Sequence, residues 1–286
     1  MRKLFTILIY TLVVLLIGRN IPSLPRFTVM NSPERYHEDL KKEIEKIVKD
    51  KKGNYGIYFT DLTEEKSFGI NEQELFTAAS VNKVPIVAVL YYLEHKGKIN
   101  FDEQITLQEV DIQDYGTGSL RYQKPGSTYS LKTLAKLALK QSDNTAAHIL
   151  SNRIGTEVIQ NTIEELGMTQ TEMEENLTSP EDMSLLFSLI YNEKITSKPK
   201  TKELLGFMNE TDIEDRLPSQ LPQDAVIYHK TGDAVGSLHD IGIIEYHDKS
   251  YSIAIFTSDI GTDEDTVKKT IGEIGKTILK FYENRE

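Results

Sequence analysis

The stretch Ser80-Val81-Asn82-Lys83 opens the segment that decides the fold. Apolar side chains follow it nearly all round a helix, which predicts that this helix is deeply buried. These side chains are Val84, Ile86, Val87, Val89, Leu90 and Leu93. Residues three apart lie on one face of a helix, so the Ser80 hydroxyl and the Lys83 amine are expected to be close enough to exchange a proton. The stretch therefore predicts a nucleophilic serine at the start of a core helix.

Strand-like segments flank this helix towards both ends of the chain. The spacing between Phe76 and Leu205 is helical almost throughout, and a further helix is expected over 263–282. The predicted strands are Asn54 to Asp61, Glu65 to Ile70, Ala225 to Lys230, Leu238 to Tyr246 and Tyr251 to Thr257. Strands from both chain ends must share one sheet, and the last three have hairpin spacing. We therefore predict an α/β (α+β) fold with a five-stranded antiparallel sheet flanked by helices, plus an all-helical lobe.

The amino terminus has the pattern of a targeting segment. Arg2 and Lys3 precede an apolar run from Leu4 to Ile17, which is short for the roughly 20 residues of a spanning helix. Residues 1–20 are therefore interpreted as a signal peptide or an uncleaved membrane anchor in contact with the membrane. The alternative is a buried amino-terminal helix of a cytosolic protein. The first interpretation predicts an exported, extracytoplasmic protein, either anchored or secreted.

The rest of the chain is predicted to be a linker and one folded domain. Residues 21–32 hold Pro22 and Pro25 without periodicity and are interpreted as the linker. The domain is predicted over 33–286. Its α/β lobe is expected to comprise 33–75 and 215–286, and its helical lobe 76–214. The cleft between the lobes is the expected site.

The composition excludes several classes of function. A net charge of -11 argues against a nucleic-acid partner, which would need a basic surface. The absence of cysteine removes thiol catalysis, thiolate metal sites and disulfides. The six histidines never show the paired helical spacing of a zinc site, and there is no glycine-rich phosphate loop. We therefore predict no metal and no cofactor, and we expect a monomer.

A second motif, Ser142-Asp143-Asn144, follows a predicted helix that ends near Leu139. Ser142 can relay a proton to a leaving nitrogen, and the Asn144 side chain can hold a substrate amide by two hydrogen bonds. Asp143 is expected to order the turn. The alternative is an Asx turn that only links two helices.

The third motif is Lys230-Thr231-Gly232, predicted to end a strand. Gly232 lets a substrate backbone lie close, the Thr231 hydroxyl can bind a carboxylate, and Lys230 sets the local field. Lys230 is also the second cation that, with burial, would lower the pKa of Lys83 enough for its amine to act as a base. An ordinary strand end is the alternative for an isolated tripeptide of this kind.

The three motifs together resemble those of class A β-lactamases and related penicillin-recognising serine hydrolases, from about residue 54 to the end. Phe76-Thr77-Ala78-Ala79-Ser80 is similar to the family's entry to its nucleophile helix. Gly116-Thr117-Gly118-Ser119-Leu120 resembles the strip before its second motif, and Asp215-Arg216-Leu217-Pro218 the approach to its third. The resemblance implies a β-lactamase/transpeptidase-like fold.

The resemblance also implies a role for each motif residue. Ser80 would be acylated, Lys83 would be the base, and Ser142 would protonate the leaving nitrogen. The backbone N–H groups of Ser80 and Asp233 would form the oxyanion hole. The implied substrate-binding residues are Asn144, Arg216, Lys230, Thr231, Gly232 and Asp233. For Arg216 the alternative is a surface arginine that pairs with Asp212 or Asp215.

Two features depart from the family pattern. The stretch Gly167 to Pro180 is much shorter than the class A loop whose glutamate activates the deacylating water. Glu172, four before Asn176, is a candidate for that base, with an acidic run on a solvated turn as the alternative. Asp233 places a carboxylate where most members have a small residue, and it would repel an anionic substrate unless turned away.

The predicted function is hydrolysis of the β-lactam amide by a serine enzyme of class A type. One alternative is a peptidoglycan DD-peptidase (carboxypeptidase) or endopeptidase that acts on stem peptides with the same serine. Another is a membrane-tethered β-lactam or muropeptide binder that acylates or docks without turnover. The substrate is accordingly expected to be a small β-lactam or a peptidoglycan stem peptide. A degenerate interaction domain is the remaining alternative.

Overall fold

The computed structural model describes residues 33–284, and its centre is a five-stranded antiparallel sheet. The strands of the chain are β1 (Asn54–Asp61), β2 (Lys66–Ile70), β3 (Phe76–Thr77), β4 (Gln104–Thr106), β5 (Thr128–Ser130), β6 (Leu177–Thr178), β7 (Val226–Ala234), β8 (Ser237–Tyr246) and β9 (Lys249–Ser258). The large sheet has the order β2-β1-β9-β8-β7. β1 pairs with β9 from Asn54↔Ser258 to Asp61↔Tyr251, which joins the two ends of the chain as predicted.

Helices cover both faces of the sheet and form the second lobe. They are α1 (Pro33–Val48), α2 (Lys83–His95), α3 (Leu131–Lys140), α4 (Asn144–Ile154), α5 (Thr156–Glu165), α6 (Pro180–Tyr191), α7 (Lys198–Gly206) and α8 (Glu264–Glu283). The predicted fold class is thus confirmed. The lobe boundaries at 75/76 and 214/215 stay a prediction.

The sheet is buried on both faces. Successive side chains along a strand point to opposite faces, and apolar side chains occur on each face. β8 is buried from Ser237 to Ile244. On one face, Ile241, Ile243, Ala254 and Phe256 join the apolar core around α2. On the other face, the ring of Tyr251 lies 4.5 Å from that of Tyr282 in α8. Such two-sided burial makes the sheet a rigid support for the residues on β7.

The helical prediction for Phe76 to Leu205 is wrong at four short strands. β3 pairs with β6 through Phe76↔Thr178, and β4 pairs with β5 through Ile105↔Tyr129. Strands of two or three residues are too short to show the period of two by which strands are recognised. The β3–β6 pair is important because it fixes the residues just before Ser80 against the loop before α6.

Two local predictions around the motifs are also corrected. Ser80 lies in a 3₁₀ turn, Ala79–Asn82, and α2 begins only at Lys83. β7 continues to Ala234, so Lys230-Thr231-Gly232 lies inside a strand and does not end it. Gly and Asp disfavour strands, but Gly232 and Asp233 both have partners on β8, and this pairing outweighs their local preference.

The predicted leader (1–20) and linker (21–32) lie outside the described residues. Among residues 33–284, no helix combines the length and the apolar character needed to cross a bilayer.

Candidate active site

The Ser80 hydroxyl and the Lys83 amine form the centre of the site. The 3₁₀ turn begins at Ala79, whose φ of 51° is left-handed, and it presents Ser80 just before the start of α2. Lys83 Nζ lies 2.7 Å from Ser80 Oγ, as the spacing predicts. Lys83 is 4% exposed, and this burial lowers its pKa to about 8, although the charge of Asp143 opposes the shift. The neutral form of the Lys83 amine is therefore accessible near neutral pH and can accept the hydroxyl proton.

Ser142 and Lys230 form a second hydroxyl–amine pair. Ser142 stands between α3 and α4 with a φ of 55°, in the left-handed region. Lys230 Nζ donates to Ser142 Oγ at 2.9 Å and to the Thr231 carbonyl at 2.8 Å. Burial and the positive charge of Lys83 both lower the pKa of Lys230. Each amine holds one hydroxyl, but the lowered pKa of Lys83 comes from burial, so the predicted contribution of Lys230 to that shift is not found.

Asp143 holds the second motif in place. Its Oδ1 accepts from the Ala146 N–H at the start of α4, and its Oδ2 accepts from the Leu120 N–H. Gly118 has a φ of 112°, and a Cβ there would lie 2.3 Å from Asp143 Cγ. The close approach explains the glycine before the motif. Asp143 orders the turn, as expected.

Asn144 lines the cleft and is packed against the same glycine-containing strip. Its side-chain Nδ2 donates to the Tyr115 carbonyl at 3.1 Å. A Cβ at Gly116 would lie 2.3 Å from this nitrogen, so the strip cannot carry a side chain here. One side-chain N–H and the carbonyl oxygen remain available to a ligand.

Arg216 is buried, so the alternative of a surface arginine is wrong. Its Nη1 donates to the carbonyls of Gly232 (3.1 Å) and His239 (2.7 Å), and its Nη2 pairs with Asp233. Its Nε lies 3.4 Å from Asp215 Oδ1. Lys268 lies 2.9 Å from the other oxygen of Asp215. Arg216 does contact Asp215, as that alternative supposed, but the arginine is buried and also pairs with Asp233.

One cleft of about 670 Å³ joins most of the predicted residues. Its lining includes Ser80, Lys83, Ser142, Asn144, Arg216 and Asp233. Lys230 reaches this cleft through its hydrogen bond to Ser142. Thr231 and Gly232 are buried, and a Cβ at Gly232 would lie 3.0 Å from the Ala78 carbonyl. Gly232 therefore allows the Ser80 turn to pack on β7, and its predicted closeness to a substrate stays a prediction.

The loop before α6 does not bring a carboxylate to Ser80. Glu172 is exposed, and its backbone pairs with Leu177 in a tight hairpin. Asn176 lines the cleft from this loop, and its Oδ1 accepts from Asn82 Nδ2 at 2.7 Å. The interpretation of 172–176 as a solvated acidic turn fits this arrangement, and Glu172 is not among the residues that line the cleft.

A buried ionic network behind Lys230 was missed by sequence reasoning. His229 Nδ1 lies 2.7 Å from Asp240 Oδ1, and its Nε2 lies 3.0 Å from Glu214 Oε1. Burial alone would lower the pKa of His229, but Asp240 and Glu214 outweigh it and raise this pKa to about 9. The signal available in the sequence was a histidine next to Lys230, but its two carboxylate partners lie 11 and 15 positions away.

A partly exposed serine beside one buried amine, with a second hydroxyl beside another, defines a serine acyl-transfer hydrolase. The sequence model of the β-lactamase enzyme family matches residues 39–282. The chain belongs to this family, and it is a hydrolytic serine enzyme of the β-lactamase type. The resemblance that the motifs indicated is thus confirmed.

Individual relatives are distant in sequence but cover nearly the whole chain. β-Lactamase VEB-1 of Pseudomonas aeruginosa is 24% identical over 91% of this chain and 95% of its own length. The solved TLA-1 extended-spectrum β-lactamase is 27% identical, with a TM-score of 0.79 over 86% of this chain and 99% of that one. A variant of PBP-A, solved as an acyl-enzyme complex with penicillin G, is 26% identical, with a TM-score of 0.80 over 86% of this chain and 97% of that one.

Proposed function

We propose that the chain hydrolyses the amide bond of β-lactams through an acyl-enzyme on Ser80. The observation that carries the proposal is the 2.7 Å contact between Ser80 Oγ and the buried amine of Lys83. In its neutral form this amine takes the hydroxyl proton while Ser80 Oγ bonds to the lactam carbonyl carbon. The oxygen of the tetrahedral intermediate is expected between the backbone N–H groups of Ser80 and Asp233.

The second hydroxyl–amine pair completes acylation. As the carbon–nitrogen bond breaks, Ser142 Oγ gives its proton to the lactam nitrogen. The proton that Lys83 accepted then replaces it, so no net charge is left at the site. Lys230, 2.9 Å from Ser142 Oγ, orients this hydroxyl and stabilises negative charge during the transfer. In deacylation the water oxygen bonds to the acyl carbon, the bond from that carbon to Ser80 Oγ breaks, and Ser80 Oγ takes a proton from the water. The free enzyme is thereby restored.

Substrate binding is proposed to use the groups that line the cleft. The Asn144 amide, which keeps a free N–H and its carbonyl oxygen, would hold the acyl side chain of the substrate. Arg216 and its partner Asp233 line the same cleft. The buried Thr231 and Gly232 support this wall of the cleft from behind, so we propose for them a positioning role.

The test is intact-mass analysis with penicillin G and turnover of a chromogenic cephalosporin. We expect one acyl group per chain in the wild type and continuous hydrolysis of the cephalosporin. Ser80→Ala should lose both, whereas Ser67→Ala, a serine that is exposed on β2, should retain both. Unchanged labelling of the Ser80→Ala variant would rule out the proposed nucleophile.

One observation favours a second candidate, a β-lactam or muropeptide binder that acylates without fast turnover. The loop before α6 contributes Asn176 to the cleft. The carboxylates that line the cleft within the described residues, Asp215 and Asp233, are both paired with Arg216 and so are not free to activate a deacylating water. A stoichiometric burst followed by an adduct that persists for hours would support this candidate. Steady turnover without a lasting adduct would exclude it. A peptidoglycan DD-peptidase is tested in parallel with a D-Ala-D-Ala stem peptide.

We also propose that the protein acts outside the cytoplasm as a monomer. Export is supported by the basic residues Arg2 and Lys3 before the apolar run from Leu4 to Ile17. A monomer is supported by the fact that one chain supplies Ser80, Lys83, Ser142 and Lys230. Cell fractionation, the mass of the mature amino terminus and size-exclusion chromatography test these points. A protein found only in the cytosol with residues 1–20 intact would contradict export.

A further inference from the structure

Asp233 pairs with Arg216, the cation that the carboxylate of a substrate would otherwise bind. The Asp233 carboxylate pairs with Arg216 Nη2, while Arg216 Nη1 is already engaged by two backbone carbonyls. Asp215 Oδ1 lies 3.4 Å from Arg216 Nε. The Arg216 side chain is 1% exposed, whereas the Asp233 side chain is 51% exposed. An incoming group therefore meets the carboxylate before it meets the arginine.

The charges at this end of the cleft cancel. Arg216 and Lys268 supply two positive charges, and Asp215 and Asp233 supply two negative ones, with Lys268 2.9 Å from Asp215. Among the cleft-lining residues, the remaining amine of the active centre is Lys83, which holds Ser80. Within residues 33–284, this end of the cleft consequently offers no unpaired cation to a substrate anion.

Asp233 also lines the same cleft as Ser80 and Ser142. It follows the third motif directly on β7, and its carboxylate acts on the protonation of Lys230, which holds Ser142. In the reaction proposed above, the Ser142 hydroxyl delivers a proton to the leaving nitrogen. A carboxylate on the carbon next to that nitrogen would thus lie near Asp233, and two like charges at that range repel each other.

We propose that Asp233 is a specificity-determining residue that selects against substrates with a carboxylate beside the scissile amide and favours leaving groups that are neutral or cationic. The inference rests on acylation of Ser80 by β-lactams and adds a charge preference to it. β-Lactams with a free carboxylate react, but at a reduced rate, because they must displace Asp233 from Arg216 or bind beside it.

The test compares two forms of one substrate, penicillin G and its uncharged methyl ester. The second-order rate of Ser80 acylation is measured for both by intact mass. We expect Asp233→Asn to raise the ratio of the acid rate to the ester rate at least fivefold. Asp233→Ser should shift the ratio in the same direction, because both changes remove the charge and only one keeps the shape.

Asp248→Asn is the matched control, since it makes the same change in an exposed turn at the opposite end of β8. It should leave the ratio unchanged. Thermal unfolding checks that each variant is folded, and Asp233 is suited to replacement because its side chain is half exposed. Equal changes for acid and ester, or a slower acid rate, would overturn the charge preference while leaving β-lactam acylation intact. Failure of the wild type to react with either form would overturn the proposed function and this inference together.

Discussion

Lys230 Nζ lies 2.9 Å from Ser142 Oγ, although the two residues are 88 positions apart in the chain. Ser142 belongs to the junction of α3 and α4 in the helical lobe, and Lys230 belongs to β7 of the sheet. This bond therefore connects the two lobes at the point where the proton must reach the leaving nitrogen. Both residues are nearly fully buried, so the contact is little weakened by water.

The protonation of Lys83 predicts a rate that rises with pH. Since burial lowers the pKa of Lys83 to about 8, the neutral amine that accepts the Ser80 proton increases as pH rises towards 8 and levels off above it. Acylation by penicillin G, measured by stopped-flow between pH 5.5 and 9.5, should follow this rise. Lys83→Ala should reduce the rate by about 10²- to 10⁴-fold and abolish the limb near pH 8. Lys98→Ala, a lysine exposed beyond the end of α2, should retain both rate and profile.

Ser142 predicts a separation of activity from backbone strain. Its φ of 55° disfavours alanine and is comfortable for glycine. Ser142→Ala and Ser142→Gly both remove the hydroxyl, so each should acylate at least tenfold more slowly. In contrast, Ser142→Gly should unfold at a higher temperature than Ser142→Ala, as measured by circular dichroism. Equal acylation rates for wild type and Ser142→Gly would show that the hydroxyl does not relay the proton.

Much of this site could be predicted because its chemistry lies in short local strings. The Ser80–Lys83 contact needs only one turn of backbone, and the three motifs in order indicated which distant segments meet. The buried pairing of Arg216 with Asp233 could not be derived, because it depends on how the segment before the 3₁₀ turn Leu217–Gln220 packs against β7 and β8. The same holds for Gly232, whose packing against Ala78 follows from the approach of two lobes and from no local pattern.

Glu172 predicts an absence of effect on deacylation. Its side chain is exposed and does not line the cleft, so we expect it not to activate a water at Ser80. Glu172→Gln should release the penicillin G acyl group within twofold of the wild-type rate, followed by intact mass after removal of free antibiotic. A tenfold slower release would instead return Glu172 to the role of the general base.

His229 predicts a loss of stability at alkaline pH. Its pKa is about 9 in the folded chain against 6.5 in the unfolded one, so its ion pairs with Asp240 and Glu214 stabilise fully below pH 6.5. That contribution is lost as pH rises through 9, and it amounts to at most about 3 kcal/mol. Lys83 has the opposite dependence, because its pKa is lowered on folding. The test is therefore the difference in unfolding free energy between wild type and His229→Gln, which should be larger at pH 6 than at pH 9.5.

At Gly118, we predict that adding one methyl group disturbs the second motif. An added Cβ would lie 2.3 Å from Asp143 Cγ, and the φ of 112° is unfavourable for any L side chain. Gly118→Ala should therefore lower the unfolding free energy by about 2 kcal/mol or more and slow acylation, because Asp143 must shift away from the N–H of Ala146.

Gly97→Ala is the matched control: its φ is 69°, but no atom lies within 4 Å of the new Cβ. It carries the backbone strain alone, so it should cost about 1 kcal/mol and leave acylation unchanged. Urea unfolding and penicillin G labelling of the two variants separate the steric contact from the strain. Equal effects on both properties would show that the Gly118–Asp143 contact does not position the motif.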